Sequence, residues 1–300
     1  CHGNLNILFS YNHYITILMK SNLGILSSNI NSLDFLIVNR LNDYFNFYAI
    51  ASRNIEDSKA ISSNFNFKKY YGSYEELVKD PNIDFVINFL PNSIKFEYSY
   101  LLLKAQKKVI TSYPVFNSIK DIIYVEEIIS TSLDQNIFLV QEYNYSKLVD
   151  ISPNNIIYSK FADNNYKSNL SLMKDLLVED SPDLFFFLNH YKNMNMNINI
   201  DIFKKKYDSL HNRLSYLNAL ITIDDNKFIN VLIDNVNKIH ENSIIVNSNS
   251  HIDKFEIRNN VIKAYNHDDL LLFIKNNKTF DNSTFFQYYP FKLFNEVINV

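Results

Sequence analysis

Tyr113 and His190 both carry groups that can transfer a proton. Tyr113 follows the short apolar run Val109-Ile110, and its hydroxyl can donate a proton but cannot supply a fixed positive charge. His190 can titrate near neutral pH. Each also has a structural interpretation, because Tyr113 can pack at the rim of a site and His190 ends an aromatic-rich stretch in which it can be partly buried.

The composition argues against several kinds of site. The net charge is −3 and the one basic run is Lys204-Lys205-Lys206, so we expect no nucleic-acid partner. Cys1 is the only cysteine and the seven histidines are scattered, so we expect no internal disulfide and no metal site. Only 3 glycines occur, which AT-rich codon usage explains, and missing glycines are therefore weak signs of lost function.

We interpret residues 1–22 as an N-terminal extension. Asn6–Met19 is moderately apolar, but Ser10, Asn12 and His13 interrupt it, which makes it too short and polar for a membrane span. A cleaved targeting segment is the alternative interpretation. A cytoplasmic location is favoured, and we expect no integral membrane span.

Residues 23–145 alternate between short apolar runs and segments of helical periodicity. The strand-like runs are Leu23–Leu26, Phe47–Ala51, Phe85–Ile87, Val109–Ile110 and Ile137–Val140. Asn54 is a predicted helix cap. Strands alternating with helices of this length pair in parallel through right-handed crossovers. The pattern predicts an α/β, Rossmann-like doubly wound parallel sheet.

Residues 146–300 have a different pattern, with strand-like runs separated by Asp- and Asn-rich turns. These runs are Ala219–Ile223, Phe228–Ile233, Ser243–Val246 and Phe255–Arg258. Asp224-Asp225-Asn226 is typical of a hairpin connection. The half is predicted to be an α+β domain with a mostly antiparallel, open-faced sheet. Asn193–Ile200 fits either an edge strand or a low-complexity insert.

Several short segments of the first half occur in a characteristic order and spacing. They are Ala49-Ile50-Ala51-Ser52-Arg53, Tyr71-Gly72-Ser73-Tyr74-Glu75-Glu76-Leu77, Pro81-Asn82-Ile83-Asp84-Phe85-Val86, Pro91-Asn92-Ser93, Lys107-Lys108-Val109-Ile110, Pro114 and Glu142-Tyr143-Asn144-Tyr145. This set resembles the Gfo/Idh/MocA (glucose–fructose oxidoreductase / inositol dehydrogenase) family. The resemblance implies a dinucleotide-binding domain over residues 23–145 and a substrate or oligomerisation domain over 146–300.

The resemblance places the cofactor pyrophosphate at a turn after the first strand, where the family has glycines that allow close backbone approach. Gly24 matches the glycine within the strand, while Ser27 and Asn29 stand where the two turn glycines belong. Asn29 tolerates positive φ, but Ser27 adds a side chain. All three are candidate cofactor-binding residues, in a turn that is either weakened or still competent.

The end of the second strand implies which dinucleotide is preferred. Ser52-Arg53 offers no acid for a ribose 2′-hydroxyl and one guanidinium for a 2′-phosphate, so NADP is the expected cofactor. Arg53 can equally be a surface residue beside the helix cap. Pro91, Asn92 and Pro114 complete the cofactor-binding residues that the resemblance implies.

The catalytic residues of the family are largely replaced. Its Glu-Lys-Pro motif, whose lysine lies beside the nicotinamide and substrate, is Ser112-Tyr113-Pro114 here. His190 matches the family histidine, but Phe186 replaces the aspartate four residues before it, and Lys95 stands where a histidine often follows Pro-Asn. Tyr113 and His190 are therefore the candidate catalytic residues.

Two functions fit these replacements. Lysine codons are AT-rich, so codon usage gives no reason to lose a lysine at Tyr113. This favours a binding or scaffold homologue, a pseudoenzyme whose NADP site is weak or lost. The alternative is an active NADP-dependent oxidoreductase that moves hydride to or from a sugar, polyol or related carbonyl substrate. The resemblance also implies a homo-oligomer formed through the C-terminal sheet.

Overall fold

Two six-stranded sheets organise the chain. The computed structural model describes residues 20–26, 35–37, 40–112, 115–116, 119–140, 155–161, 182–207, 214–224, 227–234, 243–247, 252–256, 267–276 and 292–293. The first sheet consists of β1 (Ser21–Leu26), β2 (Phe45–Ala51), β3 (Lys69–Tyr71), β4 (Phe85–Asn88), β5 (Lys108–Ser112) and β6 (Ile137–Val140). Its strands are all parallel, in the order β3-β2-β1-β4-β5-β6. The predicted doubly wound parallel sheet is confirmed.

The strands of this sheet are apolar on both sides because helices cover both faces. One face presents Leu23, Ile25, Ile50, Ile87 and Ile110, and the other presents Leu26, Ala49, Ala51, Val86 and Val109. The covering helices are α1 (Ile55–Phe65), α2 (Tyr74–Lys79), α3 (Asn92–Lys104) and α4 (Ile122–Ser130). The predicted cap is confirmed, because the Asn54 side chain accepts a hydrogen bond from the Glu56 backbone N–H at 3.0 Å.

The second sheet is mostly antiparallel, as predicted. Its strands are β7 (Asn155–Phe161), β8 (Ile198–Tyr207), β9 (Leu214–Ile223), β10 (Lys227–Asp234), β11 (Ser243–Asn247) and β12 (Ile252–Glu256). The order is β12-β11-β7-β10-β9-β8, in which β7 and β10 pair in parallel and the other neighbours pair antiparallel. β9 and β10 form the predicted hairpin, with Ile223 paired to Lys227.

The structure also decides the segment that the sequence left open. Helix α5 (Pro182–Asn193) ends at the start of Asn193–Ile200, and β8 begins at Ile198 as an edge strand of the second sheet. The edge-strand interpretation is therefore the better one. Strands β3 and β7 were not predicted. β3 (Lys69–Tyr71) is short and mixes polar with aromatic residues, so its pattern does not indicate a strand.

Helix α6 (His267–Asn276) returns from the second half of the chain to the first sheet. The buried Phe273 ring lies 5.9 Å from the Phe85 ring and 5.5 Å from the Phe138 ring, measured between centroids. Leu270 is buried in the same cluster. The division into residues 1–22, 23–145 and 146–300 stays a prediction, and α6 joins the sheet of the first half to a later segment. Within the described ranges, no helix has the length and apolar character needed to cross a membrane.

Candidate functional site

The strand order reverses between β1 and β4, and this reversal defines one edge of the first sheet. β1 pairs with β2 on one side and with β4 on the other, so the chain crosses away in opposite directions from these two strands. In open parallel sheets, ligands bind in the crevice outside the carboxyl ends of the strands at such a reversal. We call this place the carboxyl edge; it comprises the ends of β1, β2, β4 and β5.

Gly24 lies within β1 and contributes close packing. A Cβ atom on Gly24 would lie 3.1 Å from Ile83 Cγ2 and 3.2 Å from Leu77 Cδ2, which is tighter than ordinary side-chain contact. The glycine therefore lets β1 approach α2 and the segment that leads into β4. Ser27 and Asn29, the two turn residues predicted to approach the cofactor, lie outside the described residues.

At the end of β2, Ser52 and Arg53 differ in how far their side chains are exposed. Ser52 is buried; its N–H donates to the Tyr71 carbonyl at 3.3 Å, and its Oγ accepts from the Asn54 N–H at 3.3 Å. Its described bonds therefore hold the turn into α1. Arg53 is exposed at the same turn, where a guanidinium is accessible to an anion.

The turn from β4 to α3 is held by Asn88, which sequence analysis did not single out. Asn88 is fully buried, and its Nδ2 donates to the Lys95 carbonyl and the Ser99 Oγ, both at 2.9 Å. Its Oδ1 accepts from the Leu90 N–H at 3.3 Å. The available sequence signal was a polar residue directly after the buried run of β4, where unpaired burial would be costly.

Pro91 and Asn92 begin α3 at the carboxyl edge. Pro91 is the residue that precedes the helix, and its carbonyl accepts from the N–H groups of Ile94 and Lys95, each at 3.0 Å. Asn92 is the first helical residue and its Oδ1 accepts from Lys95 Nζ at 2.6 Å. The N-terminus of a 13-residue helix, with its partial positive charge, thus lies beside the strand reversal.

Lys95 connects this helix to the neighbouring strand. Its Nζ donates to Ser112 Oγ at 3.0 Å and to the Ser112 carbonyl at 3.3 Å, in addition to Asn92. An ammonium has three N–H donors, and the oxygens of Asn92 and Ser112 are among their partners. Lys95 is only 3% exposed, while Asn92 and Ser112 are half-buried above it. A positive charge therefore lies just beneath the surface, next to the residue that precedes Tyr113.

The two predicted catalytic residues are placed only in part. Tyr113 and Pro114 lie outside the described residues, whereas the next two residues are buried, and the Phe116 ring lies 6.1 Å from that of Phe96 on α3. His190 lies in α5, and its side chain is outside the described part of the structure. The neighbouring Tyr191 is buried, which raises its pKa to about 12.

Apart from Gly24 within β1, the described site residues form two groups. Pro91, Asn92 and Ser112 are brought together by Lys95 on the β4–β5 side, and Ser52 with Arg53 lies on the β2 side. No group of three or more His, Cys, Asp or Glu side chains in the described ranges could hold a metal ion. The strand order is that of the Rossmann fold, whose two halves each accommodate one nucleotide of a dinucleotide.

Comparison with known proteins agrees with a protein of the Rossmann, dinucleotide-binding class. Residues 28–132 match the family described as Gfo/Idh/MocA, an oxidoreductase family with an NAD-binding Rossmann fold. Trans-1,2-dihydrobenzene-1,2-diol dehydrogenase of Xenopus tropicalis is 33% identical over 95 residues, which are 32% of this chain and 28% of that protein. The enzyme of the same name from Danio rerio is 28% identical over 120 residues, 39% of this chain and 35% of that protein. The match to the Gfo/Idh/MocA oxidoreductase family thus covers residues 28–132, in the half of the chain whose sequence motifs resemble that family, and the matches to these relatives span about a third of the relatives' length.

Solved structures extend the likeness in fold to both sheets. A mutant of the 3-ketoreductase KijD10 from Actinomadura kijaniata, in complex with TDP-benzene and NADP, has a TM-score of 0.66 at 11% identity and covers 93% of this chain and 97% of that one. Myo-inositol dehydrogenase from Lactobacillus casei, in complex with NAD(H) and myo-inositol, has a TM-score of 0.56 at 14% identity and covers 79% of this chain and 74% of that one. At these identities the likeness concerns the fold alone.

Proposed function

We propose that this protein binds a dinucleotide, with NADP preferred over NAD, at the carboxyl edge of the first sheet, and that its hydride-transfer chemistry is impaired. The observation that carries the proposal is the strand reversal between β1 and β4, with α3 beginning at the same edge. Backbone N–H groups at a helix N-terminus and an exposed guanidinium suit the phosphates of such a cofactor.

The preference for NADP rests on Arg53. The 2′-phosphate of NADP requires a cation at the end of β2, where NAD-specific folds have a carboxylate. Arg53 is exposed there, whereas the Ser52 side chain is engaged by the turn. We infer that Arg53 contacts the 2′-phosphate and that Ser52 supports the backbone beneath it.

The proposed impairment rests on the residues that replace the family's proton-transfer groups. Tyr113 stands in place of the lysine and Phe186 in place of the aspartate before His190. A positioned acid or base commonly contributes about 10²- to 10⁴-fold to a rate. Losing one such group would leave a protein that binds cofactor but turns over slowly, and a scaffold role through the second sheet would survive that loss.

One observation favours the second candidate function, an active oxidoreductase acting on a sugar, polyol or related carbonyl compound. The Lys95 ammonium contacts Ser112, adjacent in sequence to the position of the missing lysine. A cation this close to the end of β5 could support a developing negative charge near Tyr113. The relatives named as dehydrogenases and a ketoreductase are consistent with this alternative.

Titration of the purified protein with NADPH and NADH, followed by nucleotide fluorescence, tests the main proposal. We expect saturable NADPH binding, and Arg53→Ala should weaken it about 10- to 100-fold while leaving NADH binding unchanged. Arg40→Ala is the matched control, because Arg40 is an exposed arginine that pairs with Asp43 at 3.0 Å, near the start of β2. Absence of binding at millimolar NADPH would refute the proposal.

The two candidate functions separate in a turnover assay. NADPH oxidation is followed with a panel of aldehydes, ketones and keto-sugars, and NADP reduction with the matching polyols. Impairment predicts that Tyr113→Lys raises turnover by at least about tenfold. Substantial turnover by the wild type, unchanged or lowered in Tyr113→Lys, would favour the active oxidoreductase.

A further inference from the structure

We propose that Lys95 is the residue that makes this site distinguish reduced from oxidised dinucleotide. The inference rests on the proposed function, since it requires that a dinucleotide binds at the carboxyl edge. Lys95 acts as a positioning residue toward Asn92 and Ser112, and its buried positive charge disfavours the cationic nicotinamide ring of NADP⁺ relative to the neutral ring of NADPH.

The first step of the argument is the location of the charge. A dinucleotide that crosses a strand reversal places one nucleotide on each half of the sheet. Arg53 and the 2′-phosphate fix the adenosine half on the β2 side, so the nicotinamide half falls on the β4–β5 side. The Lys95 ammonium is on that side, bonded to the first turn of α3 and to the end of β5.

The second step is the rigidity of the charge. Asn92 Oδ1 at 2.6 Å, Ser112 Oγ at 3.0 Å and the Ser112 carbonyl at 3.3 Å hold the ammonium from the helix and the strand together. The lysine stem is buried, so the group has little freedom to move into solvent. A fixed charge with limited access to water acts more strongly on its surroundings than an exposed lysine does.

The third step is the difference between the two cofactor forms. NADP⁺ carries one more positive charge than NADPH, and that charge lies in the nicotinamide ring. The like-charge interaction with Lys95 weakens NADP⁺ binding alone, whereas the hydrogen bonds that Lys95 makes to Asn92 and Ser112 influence both forms equally. The ratio of the two dissociation constants therefore measures the effect of the Lys95 charge. A change in both affinities by the same factor measures the effect of the hydrogen bonds through which Lys95 positions Asn92 and Ser112.

The experiment measures the dissociation constants of NADPH and NADP⁺ for the wild type, Lys95→Met and Lys95→Arg. We expect the wild type to prefer NADPH, and Lys95→Met, which keeps the apolar stem, to reduce that preference about tenfold. Lys95→Arg should retain the preference because it retains the charge. Ser112→Ala is the matched control, which removes one hydrogen bond from the ammonium without altering the charge and should shift both affinities together.

Lys95→His provides an independent test should Lys95→Met fail to fold. An imidazole titrates near neutrality, so the preference of this variant for NADPH should increase as the pH falls from about 8 to 5.5, and by more than any change that the wild type shows over the same range. The inference is overturned if Lys95→Met changes both affinities equally, or if the ratio for Lys95→His does not depend on pH. Failure of the wild type to bind either nucleotide would instead refute the proposed function.

Discussion

Replacing Asn88 by alanine should destabilise the protein and loosen the turn that carries Pro91. Asn88 is fully buried and its side chain makes three hydrogen bonds, to the Lys95 carbonyl, to Ser99 Oγ and from the Leu90 N–H. Alanine can make none of them. The substitution acts where β4 passes into α3, so its effect should reach the proposed cofactor site.

The size of the loss in unfolding free energy follows from the hydrogen-bonding groups that lose Asn88 as a partner. The buried Leu90 N–H would lose its side-chain acceptor, which costs about 1–3 kcal/mol, although the 3.3 Å length of that bond places it toward the lower end. The two shorter bonds donated by Nδ2 contribute about 1 kcal/mol each, and the Ser99 hydroxyl can rotate to recover part of this. We expect a net loss of about 2–3 kcal/mol in the free energy of unfolding.

Urea denaturation followed by far-ultraviolet circular dichroism measures this loss; the chain has no Trp, so a tryptophan fluorescence probe is absent. Asn199→Ala is the control, because Asn199 is exposed on the edge strand β8 and its described side-chain bond, to Asp201, is 3.4 Å long. It should change stability by less than about 0.5 kcal/mol. The reasoning would be wrong if Asn88→Ala lay within that same range, or if its NADPH affinity equalled that of the wild type.

Two further predictions concern packing and pH. Burial alone would raise the pKa of Asp80, but hydrogen bonds from the Tyr71 hydroxyl, Asn82 and Lys69 hold that pKa well below its usual range. The contribution of the Asp80 carboxylate to folding stability is thus complete above the unfolded pKa of about 4 and declines as the pH falls below it. The difference in urea midpoint between the wild type and Asp80→Asn should therefore be largest at pH 7 and shrink in acid. A difference independent of pH would contradict this. Gly24→Val should lower the free energy of unfolding by about 1–3 kcal/mol, because even the Cβ of the valine would lie within 3.2 Å of neighbouring side chains. An unchanged thermal midpoint would show that those neighbours move aside freely.

The candidate site was predictable where a residue type has a local role. The Asn54 cap and the Pro-Asn pair at the start of α3 could be recognised from their neighbours in the sequence. Asn88 and the bonds of Lys95 could not. Lys95 and Ser112 are 17 positions apart, and they meet because α3 packs across the sheet so that its first turn lies over the end of β5.

Sequence alone predicted the alternation of strands and helices, because burial and periodicity leave regular patterns along a chain. Ordered short motifs carried the resemblance to the Gfo/Idh/MocA family, in which Tyr113 stands at the position of the family's lysine. Tertiary structure decided that α6 packs its Phe273 against the first sheet and that Lys95 brings a positive charge to the end of β5. Contacts between distant segments depend on how the elements pack, and a local pattern carries little information about that packing. For this reason, Tyr113 at the position of the family's lysine could be recognised in the sequence, whereas the Lys95 ammonium beside Ser112 became apparent only in the folded chain.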